Sequence, residues 1–399
     1  MGYIEGEVSV SLKLDLDQYY IGAVHIEQLY FIEDILSYSI VGKIMFDDRK
    51  GILEFGPLTG NEQIVIDYGR EDEVKKTFDI YKISRIIPSH ANAGGKWNFI
   101  EILFVDTMFY NLTNRQYSIS WKDTKHSTIV EDLSNNMIKI DNKGKWEPTK
   151  ETAECFYMPY WTAKQGIDWL IKRSTGSQSG QGSYVYYNTL CNENDFKTYT
   201  NFITIEKLLQ QSSSEKFSII GNILEYSISG IDNYSRSLLK GGTRRGYDTK
   251  RKKFLQSTYK YKDDQINKFT MLGKYSLFED ISDEEARHDI TGDDLISTID
   301  TIYNNDWFKR YCMQQTLNIY VEGDEKRYAG SMIKIEWPST HEDQILNKNF
   351  DNGNYLVKSI THQLIGGGKP YQQNLILIKN AYEDSDKTDL VKAKKKNLG

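Results

Sequence analysis

Six histidines, three cysteines, an acidic run, a glycine-rich lysine turn and one basic cluster are the places where this 399-residue chain could do chemistry. The histidines are His25, His90, His126, His288, His341 and His362. None falls in an H-E-x-x-H or H-x-x-x-H pattern, the spacing that aims two imidazoles from one helix face at a zinc ion. They read as structural or solvated. Cys155, Cys191 and Cys312 are far apart and give neither a disulfide framework nor zinc-ligand spacing. Gly366-Gly367-Gly368-Lys369-Pro370 lacks the spacing of a phosphate-cradling loop and reads as a hairpin turn. Asp280, Asp283, Glu284, Glu285, Asp289, Asp293 and Asp294 lack the residue order of a calcium loop and read as a solvated approach to a helix. Glycoside hydrolysis needs two carboxyl groups roughly 5 to 9 Å apart. Sequence separation cannot place such a pair, so no catalytic, metal-binding or cofactor-binding residue is assigned and no cofactor is expected.

The basic cluster Arg244, Arg245, Lys250, Arg251, Lys252 and Lys253 has the best claim to a role. It lies in a stretch, 240–253, that reads as a Gly-containing loop. Phosphate contact needs only Lys and Arg, so the loop could touch passing DNA or an acidic neighbour; a solvated loop is the alternative. Lys392, Lys394, Lys395 and Lys396 in the charged tail invite the same two readings. The chain as a whole is acidic, with a formal charge of -6, which argues against general nucleic-acid binding. No apolar run approaches the ~20 residues of a membrane helix. No basic-then-apolar leader opens the sequence. The expectation is a protein made in a reducing cytoplasm and not embedded in a membrane.

The elements that must position these groups are mostly strands. Val8, Val10, Leu12, Leu14 and Leu16 alternate with polar residues, as do Ile64, Ile66 and Tyr68, the period of a half-buried strand. Tyr38, Ile40, Ile44 and Phe46 and the runs 78–87 and 99–105 continue the set. A helix is predicted from Ser127 to Met137 with Ile129, Leu133 and Met137 on one face. A second should start at Thr162 as N-cap, with Gln165 completing a capping box. Residues 174–183 (STGSQSGQGS) read as a mobile loop. Residues 202–210 suit a strand or a short helix, and 219–231 a strand. The longest helix is predicted over 295–315. Strands return at 317–321, 333–337, 355–364 and 374–378. Tyrosine is abundant, 28 residues, and suits half-buried sheet faces and wet interfaces.

The two β regions resemble one another. GNEQIVIDYG (60–69), DIYKISRII (79–87), a Gly-Gly-Lys turn (94–96) and FIEILFVD (99–106) recur as GSMIKIEWP (330–338), YLVKSITHQL (355–364), Gly367-Gly368-Lys369 and NLILIKNA (374–381). Lys82 and Lys358 sit centrally in the matched strands. Two meanders can look alike by chance, but the shared Gly-Gly-Lys turn is less common. Two like barrels per chain would let three chains close a ring of six similar units.

Several segments resemble the T-even-type baseplate central hub, the cup-shaped trimer above the cell-puncturing spike. They are GILEFGPLTGNEQIVIDY (51–68), MPYWTAKQGIDWLIKRS (158–174), the helix of 295–313, YLVKSITHQL (355–364) and NLILIKNAYEDSDKTDLVKAKKKN (374–397). None is a catalytic motif; their joint order carries the likeness. It implies a homotrimer in the virion with a pseudo-sixfold ring under the tail tube protein, a separate trimeric spike protein below and other baseplate proteins around it. Related hubs of type VI secretion spikes are fused to their spike. Transient contact with DNA during ejection is a further implied role. The loops at 174–183 and 240–253 have no counterpart in the likeness.

The expected fold class is α+β, with two similar antiparallel β-barrel domains and an α-containing inserted domain. The first barrel takes 1–110. The insertion takes 111–215 and 241–315. The second barrel takes 216–240 and 316–381, and 382–399 is a charged tail. Two rival functions stay open: a virion-associated cell-wall or polysaccharide hydrolase, which needs a cleft with paired carboxylates, and a carbohydrate-binding baseplate protein, which needs an exposed row of Trp or Tyr.

Overall fold

The computed structural model describes residues 9–14, 17–21, 25–48, 51–52, 58–69, 74–88, 98–180, 182–193, 195–218, 223–229, 242–248, 252–259, 270–272, 275–276, 286–287, 301–302, 305–306, 308–309, 312–313, 315–336, 352–365 and 371–382. The first strands are β1 (Ser9–Leu14), β2 (Asp17–Ile21), β3 (Ile26–Asp34), β4 (Val41–Asp47), β5 (Gln63–Tyr68), β6 (Val74–Pro88) and β7 (Asn98–Asp106), followed by helix α1 (Phe109–Thr113). Then come β8 (Gln116–Lys125), α2 (His126–Asp132), β9 (Lys143–Trp146), β10 (Thr152–Thr162), α3 (Ala163–Lys172), β11 (Tyr184–Thr189), β12 (Tyr199–Thr204) and α4 (Ile205–Leu209). β13 (Glu215–Ser218), β14 (Ile223–Ser229), β15 (Gly242–Asp248) and β16 (Lys253–Tyr259) precede the two-residue pieces β17 (Tyr275–Ser276) and β18 (Ala286–Arg287). β19 (Gln315–Glu322), β20 (Met332–Glu336), β21 (Gly353–Ile365), β22 (Gln372–Lys379) and β23 (Ala381–Tyr382) close the described chain.

One sheet runs through both β regions, in the order β14-β19-β22-β21-β3-β4-β7-β6-β5-β1-β2, with β20 on β21 and β13 on β20. The internal repeat is visible in this order. β3-β4-β7-β6-β5 in the first set matches β14-β19-β22-β21-β20 in the second. The pairs match from strand to strand, except that β6 has one further bulge, at Ser84, without a twin in β21. Gly42 faces Phe104 as Leu317 faces Leu377, and Ile64 faces Phe78 as Ile333 faces Tyr355. A β-bulge at Glu27, between Ile26 and Gln28, has its twin at Leu224, between Ile223 and Glu225. A second pair of bulges falls at Tyr81 and Lys358. The sequence set Lys82 against Lys358, and the pairing corrects this by one residue. The further bulge at Ser84 adds a residue to β6 alone, so a letter match that fits beyond Ser84 is one residue off before it. The flanking strand differs: β1 lies antiparallel to β5, β13 parallel to β20.

Each set has its own apolar core. Phe31, Phe46, Ile64, Ile66, Phe78 and Ile102 are buried in the first; Leu317, Ile319, Ile333, Tyr355, Val357 and Leu375 are buried in the second. The alternating residues supply these faces, because successive strand side chains point to opposite sides. In the first core Gly42 admits a close approach: a Cβ there would lie 2.2 Å from the Phe104 ring and 2.7 Å from the Tyr30 carbonyl oxygen.

The segment between the sets packs α1, α2 and α3 on β8–β10 and on the β11-β12-β9 sheet, around Leu112, Ile129, Leu133, Met158, Ile167, Leu170 and Phe202. Thr162 caps α3 as expected: its hydroxyl accepts from the Gln165 N–H at 3.2 Å, and the Gln165 side chain accepts from the Thr162 N–H at 2.9 Å. The helix from Ser127 differs in its last turns. α2 gives way to a π-helical turn, Leu133–Ile138, whose extra residue per turn buries Ile138 completely and leaves Met137 half-buried. Residues 202–210 divide into the end of β12 and α4. In the predicted long helix, the described residues from Thr301 to Cys312 are helical, but Gln315 already begins β19. The Gly-Gly-Lys turns, Leu16, Trp307, Tyr311, residues 295–300 and the tail 383–399 lie outside the described residues.

Two substitutions test these packing statements. Gly42→Ala should cost about 1–3 kcal/mol through overpacking against Phe104. Thr162→Ala should cost about 1 kcal/mol through the lost cap. Urea unfolding of each variant, read against the parent at constant slope, measures both.

Candidate functional site

The strand sets meet where β3 pairs antiparallel with the second half of β21, from Ser359 opposite Asp34 to Ile365 opposite Gln28. The facing rings of Phe31 and His362 stack with centroids 4.5 Å apart. Leu364 and Tyr371, from the second set, enter the core of the first.

Glu33 is fully buried at this seam. Its carboxylate accepts the N–H of Leu190 and the N–H of Ala329, both at 3.1 Å. It lies 3.4 Å from His362 Nε2. On the other side of the ring, His362 Nδ1 is 2.5 Å from Tyr371 Oη. Burial raises the Tyr371 pKa, keeping its proton available to Nδ1. That tautomer, assigned from the network, leaves the hydrogen on Nε2, which lies beside Glu33 without forming a hydrogen bond to it. Gln373 donates to Tyr371 at 2.9 Å and accepts from Arg327 at 2.9 Å. The Arg327 guanidinium forks onto Glu215 of β13 at 2.7 and 2.8 Å. A polar chain thus links β3, the turn before β20, β21, β22 and β13. Its charged groups are paired and hydrogen-bonded, as buried charges must be to persist. His362 is buried in this network, and no spacing in the chain announces its place beside Glu33.

The stretch 174–183 is not loose in the structure. Glu147, 2% exposed, accepts from the Ser179 N–H at 3.0 Å and from the Thr204 hydroxyl at 2.5 Å. Glu151 accepts from the Thr175 N–H at 2.7 Å. Asn305 donates to the carbonyls of Lys172 and Ser174, both at 3.0 Å, closing the end of α3. Gly and Ser suited this loop because buried carboxylates gather its backbone N–H groups.

The basic cluster also departs from its expectation. Residues 240–253 are not simply a loop: Gly242–Asp248 and Lys253–Tyr259 form a hairpin, Arg244 opposite Ser257 and Arg245 opposite Gln256. Lys252 and Lys253 are exposed near its turn. Lys250 and Arg251 lie outside the described residues, as do the acidic residues Asp280, Asp283, Glu284, Glu285, Asp289, Asp293 and Asp294, and His90, His288 and His341.

A cleft of about 530 Å³ opens between the 35–41 turn and α3. Tyr38 donates to Asp168 at 2.5 Å, and Lys164 pairs with Asp168 at 2.8 Å. Asp168 is the one carboxylate among the cleft's lining residues, so the two-carboxylate arrangement of a hydrolase is not formed there. Burial pushes the Cys191 and Cys312 thiols up, which disfavours the nucleophilic thiolate. No group of three or more His, Cys, Asp or Glu among the described residues could hold a metal. Among those residues, no helix is long and apolar enough to cross a membrane. On β10, Tyr157 and Tyr160 are 55% and 67% exposed; they are two tyrosines on one strand, short of a row.

Glu33→Ala should leave the buried N–H groups of Leu190 and Ala329 without their acceptor and lower stability by about 1–3 kcal/mol for each in urea unfolding. His126 gives a pH test. Its Nδ1 is 2.9 Å from Ser174 Oγ, and burial holds its pKa below the usual 6.5, with Glu151 opposing and Arg173 assisting the shift. The unfolded chain therefore takes up the proton first as pH falls. The contribution is present above about pH 6.5 and lost below it. His126→Gln should narrow the stability difference between pH 7.5 and 5.5, measured by urea midpoints.

No protein-family model and no curated protein matches the chain. Solved structures do. The chain is similar to the tail protein from Neisseria meningitidis MC58 at 11% identity, with a TM-score of 0.59 over 93% of this chain and 96% of that one. It is similar to the 43 kDa tail protein of prophage MuSo2 from Shewanella oneidensis at 9% identity, with a TM-score of 0.55 over 93% and 98%. A chain of the half-lidded Francisella PdpA–VgrG complex is similar at 11% identity and a TM-score of 0.51, over 96% of this chain and 59% of that one. The chain therefore shares the fold of these two tail proteins along more than nine-tenths of its length.

Proposed function

We propose that this chain is the structural baseplate hub of a contractile phage tail and has no enzymatic role. The observation that carries this reading is the repeat: two strand sets of one pairing order, joined edge to edge within a single chain. Two such sets give a chain two similar faces, so three chains can present six around one axis. That is the geometry needed to match a sixfold tube protein above while a separate threefold spike protein is held below. The likeness to two tail proteins along more than nine-tenths of the chain supports the virion location. The two sets, each read as a barrel, take 1–110 and 216–240 with 316–381, with 111–215 and 241–315 inserted and 382–399 as a tail.

The basic cluster Arg244, Arg245, Lys250, Arg251, Lys252 and Lys253 is assigned to contact with a neighbouring baseplate protein or with DNA in transit. The observed cleft chemistry supports the assembly reading over the hydrolase, because Asp168 is engaged by Tyr38 and Lys164.

Light scattering on the purified chain should give three times its 46.4 kDa mass, and the same preparation should leave cell-wall suspensions turbid. A monomer that clears cell walls would reverse the assignment.

A further inference from the structure

The seam between β3 and β21 has a counterpart that the described residues of one chain leave open. In the repeat, β6 corresponds to β21 and β14 to β3. β21 uses one edge twice: its first residues pair with β20, and from Ser359 onward the same edge pairs with β3. β6 pairs with β5 over residues 74–79 in the same way. Beyond Asp79 that edge takes no strand among the described residues. β14 pairs with β19 on one side. Its other side, where β3 carries β21, takes none among them.

Exposure marks the same two strands. His362 faces Gln373, and Ile86 faces Ile100, the residue that occupies the position of Gln373 in the first set. His362 is 1% exposed within its seam, whereas Ile86 is 50% exposed. Leu29 is 1% exposed, and its counterpart Tyr226 is 49% exposed. Of the ten large hydrophobic side chains exposed among the described residues, five lie on these strands: Tyr81, Ile86, Ile87, Leu224 and Tyr226. An apolar strand edge of this kind is an aggregation hazard unless another strand covers it.

We propose that the occupant is a second copy of this chain: β14 of one copy adds antiparallel to the distal half of β6 of the next, in the register of the internal seam. His362 opposite Phe31 becomes Ile86 opposite Ile228, and Gln363 opposite Tyr30 becomes Ile87 opposite Ser227. Leu364 opposite Leu29 becomes Pro88 opposite Tyr226, where the missing proline N–H ends the ladder. Main-chain hydrogen bonds then hold the copies together, and Ile86 and Tyr226 become buried as His362 and Leu29 are. The two edges differ, so copies join head to tail and close as a ring. The inference rests on the reading of the chain as a ring-forming hub, and it names the surface that makes the ring.

Directly opposed antiparallel residues have Cα atoms roughly 4.5–5.5 Å apart, within reach of a disulfide, and diagonal ones lie at roughly 7–8 Å, beyond it. The test therefore places Ile87→Cys and Ser227→Cys in the full chain, with the exposed native thiol removed by Cys155→Ser. The control pairs Ile87→Cys with Glu225→Cys, two residues out of register on the same face. Mild oxidation is followed by a non-reducing gel, with light scattering on the same samples. In-register variants should form covalent multimers at least tenfold more than the control. Trimers whose in-register pair links no better than the control would overturn the seam while leaving the ring reading intact. Monomers throughout would overturn both. Ile86→Asp with Tyr226→Asp, both at exposed positions, should shift trimer to monomer without changing the circular dichroism of the chain; an unshifted trimer would count against the seam.

Discussion

Every strand edge in a β protein has to be paired or covered, and here that constraint is met between the two ends of the chain. β3 is made early and β21 late, yet each supplies the edge the other lacks. Without that ladder the strand sets would be two separate meanders with open sides. With it they become one sheet, and the helical segment is held across it. Glu33 sits where the constraint is tightest, its carboxylate accepting from backbone N–H groups of two other segments, at Leu190 and Ala329.

Much of this was legible in the residues. Period-two alternation located most strands, because a half-buried strand must alternate. The Thr162 and Gln165 pair announced the start of α3, because a capping box is local chemistry. The repeat could be read from the ordered strands and their turns, and pairing then confirmed it to single residues. What stayed hidden was non-local. No periodicity tells Ile32 that Thr361 will lie opposite it. The bulge at Ser84 has no twin in β21 and makes β6 one residue longer, which is why Lys82 and Lys358 align by letter when Tyr81 and Lys358 correspond by pairing.

Composition misled in two places for a common reason. Gly and Ser at 174–183 suggested freedom, but small residues also let a chain wrap closely around carboxylates, and Glu147 and Glu151 use them so. Gly and basic residues at 240–253 suggested a loop, yet Gly242–Asp248 pair with Lys253–Tyr259. In both cases composition gives no sign of the partner: carboxylates 24 and 32 residues away in the first, the strand that follows in the second. The buried polar groups follow the same logic: Lys76 reaches the Phe196 carbonyl at 2.5 Å, Asn305 the end of α3, Arg327 the β13 carboxylate. Each ties together segments that the core alone would leave to slide.

The seam also sets the order in which the protein can be completed. The Ser359 hydroxyl bonds the Glu33 carbonyl across 326 residues. A nascent chain therefore carries the edge of β3 uncovered until β21 has emerged. Contacts of such long range are formed late and slowly, and an uncovered edge during that interval invites mispairing. Synthesis rate and chaperone shielding of the N-terminal strands thus become as important to the yield of this protein as its final stability.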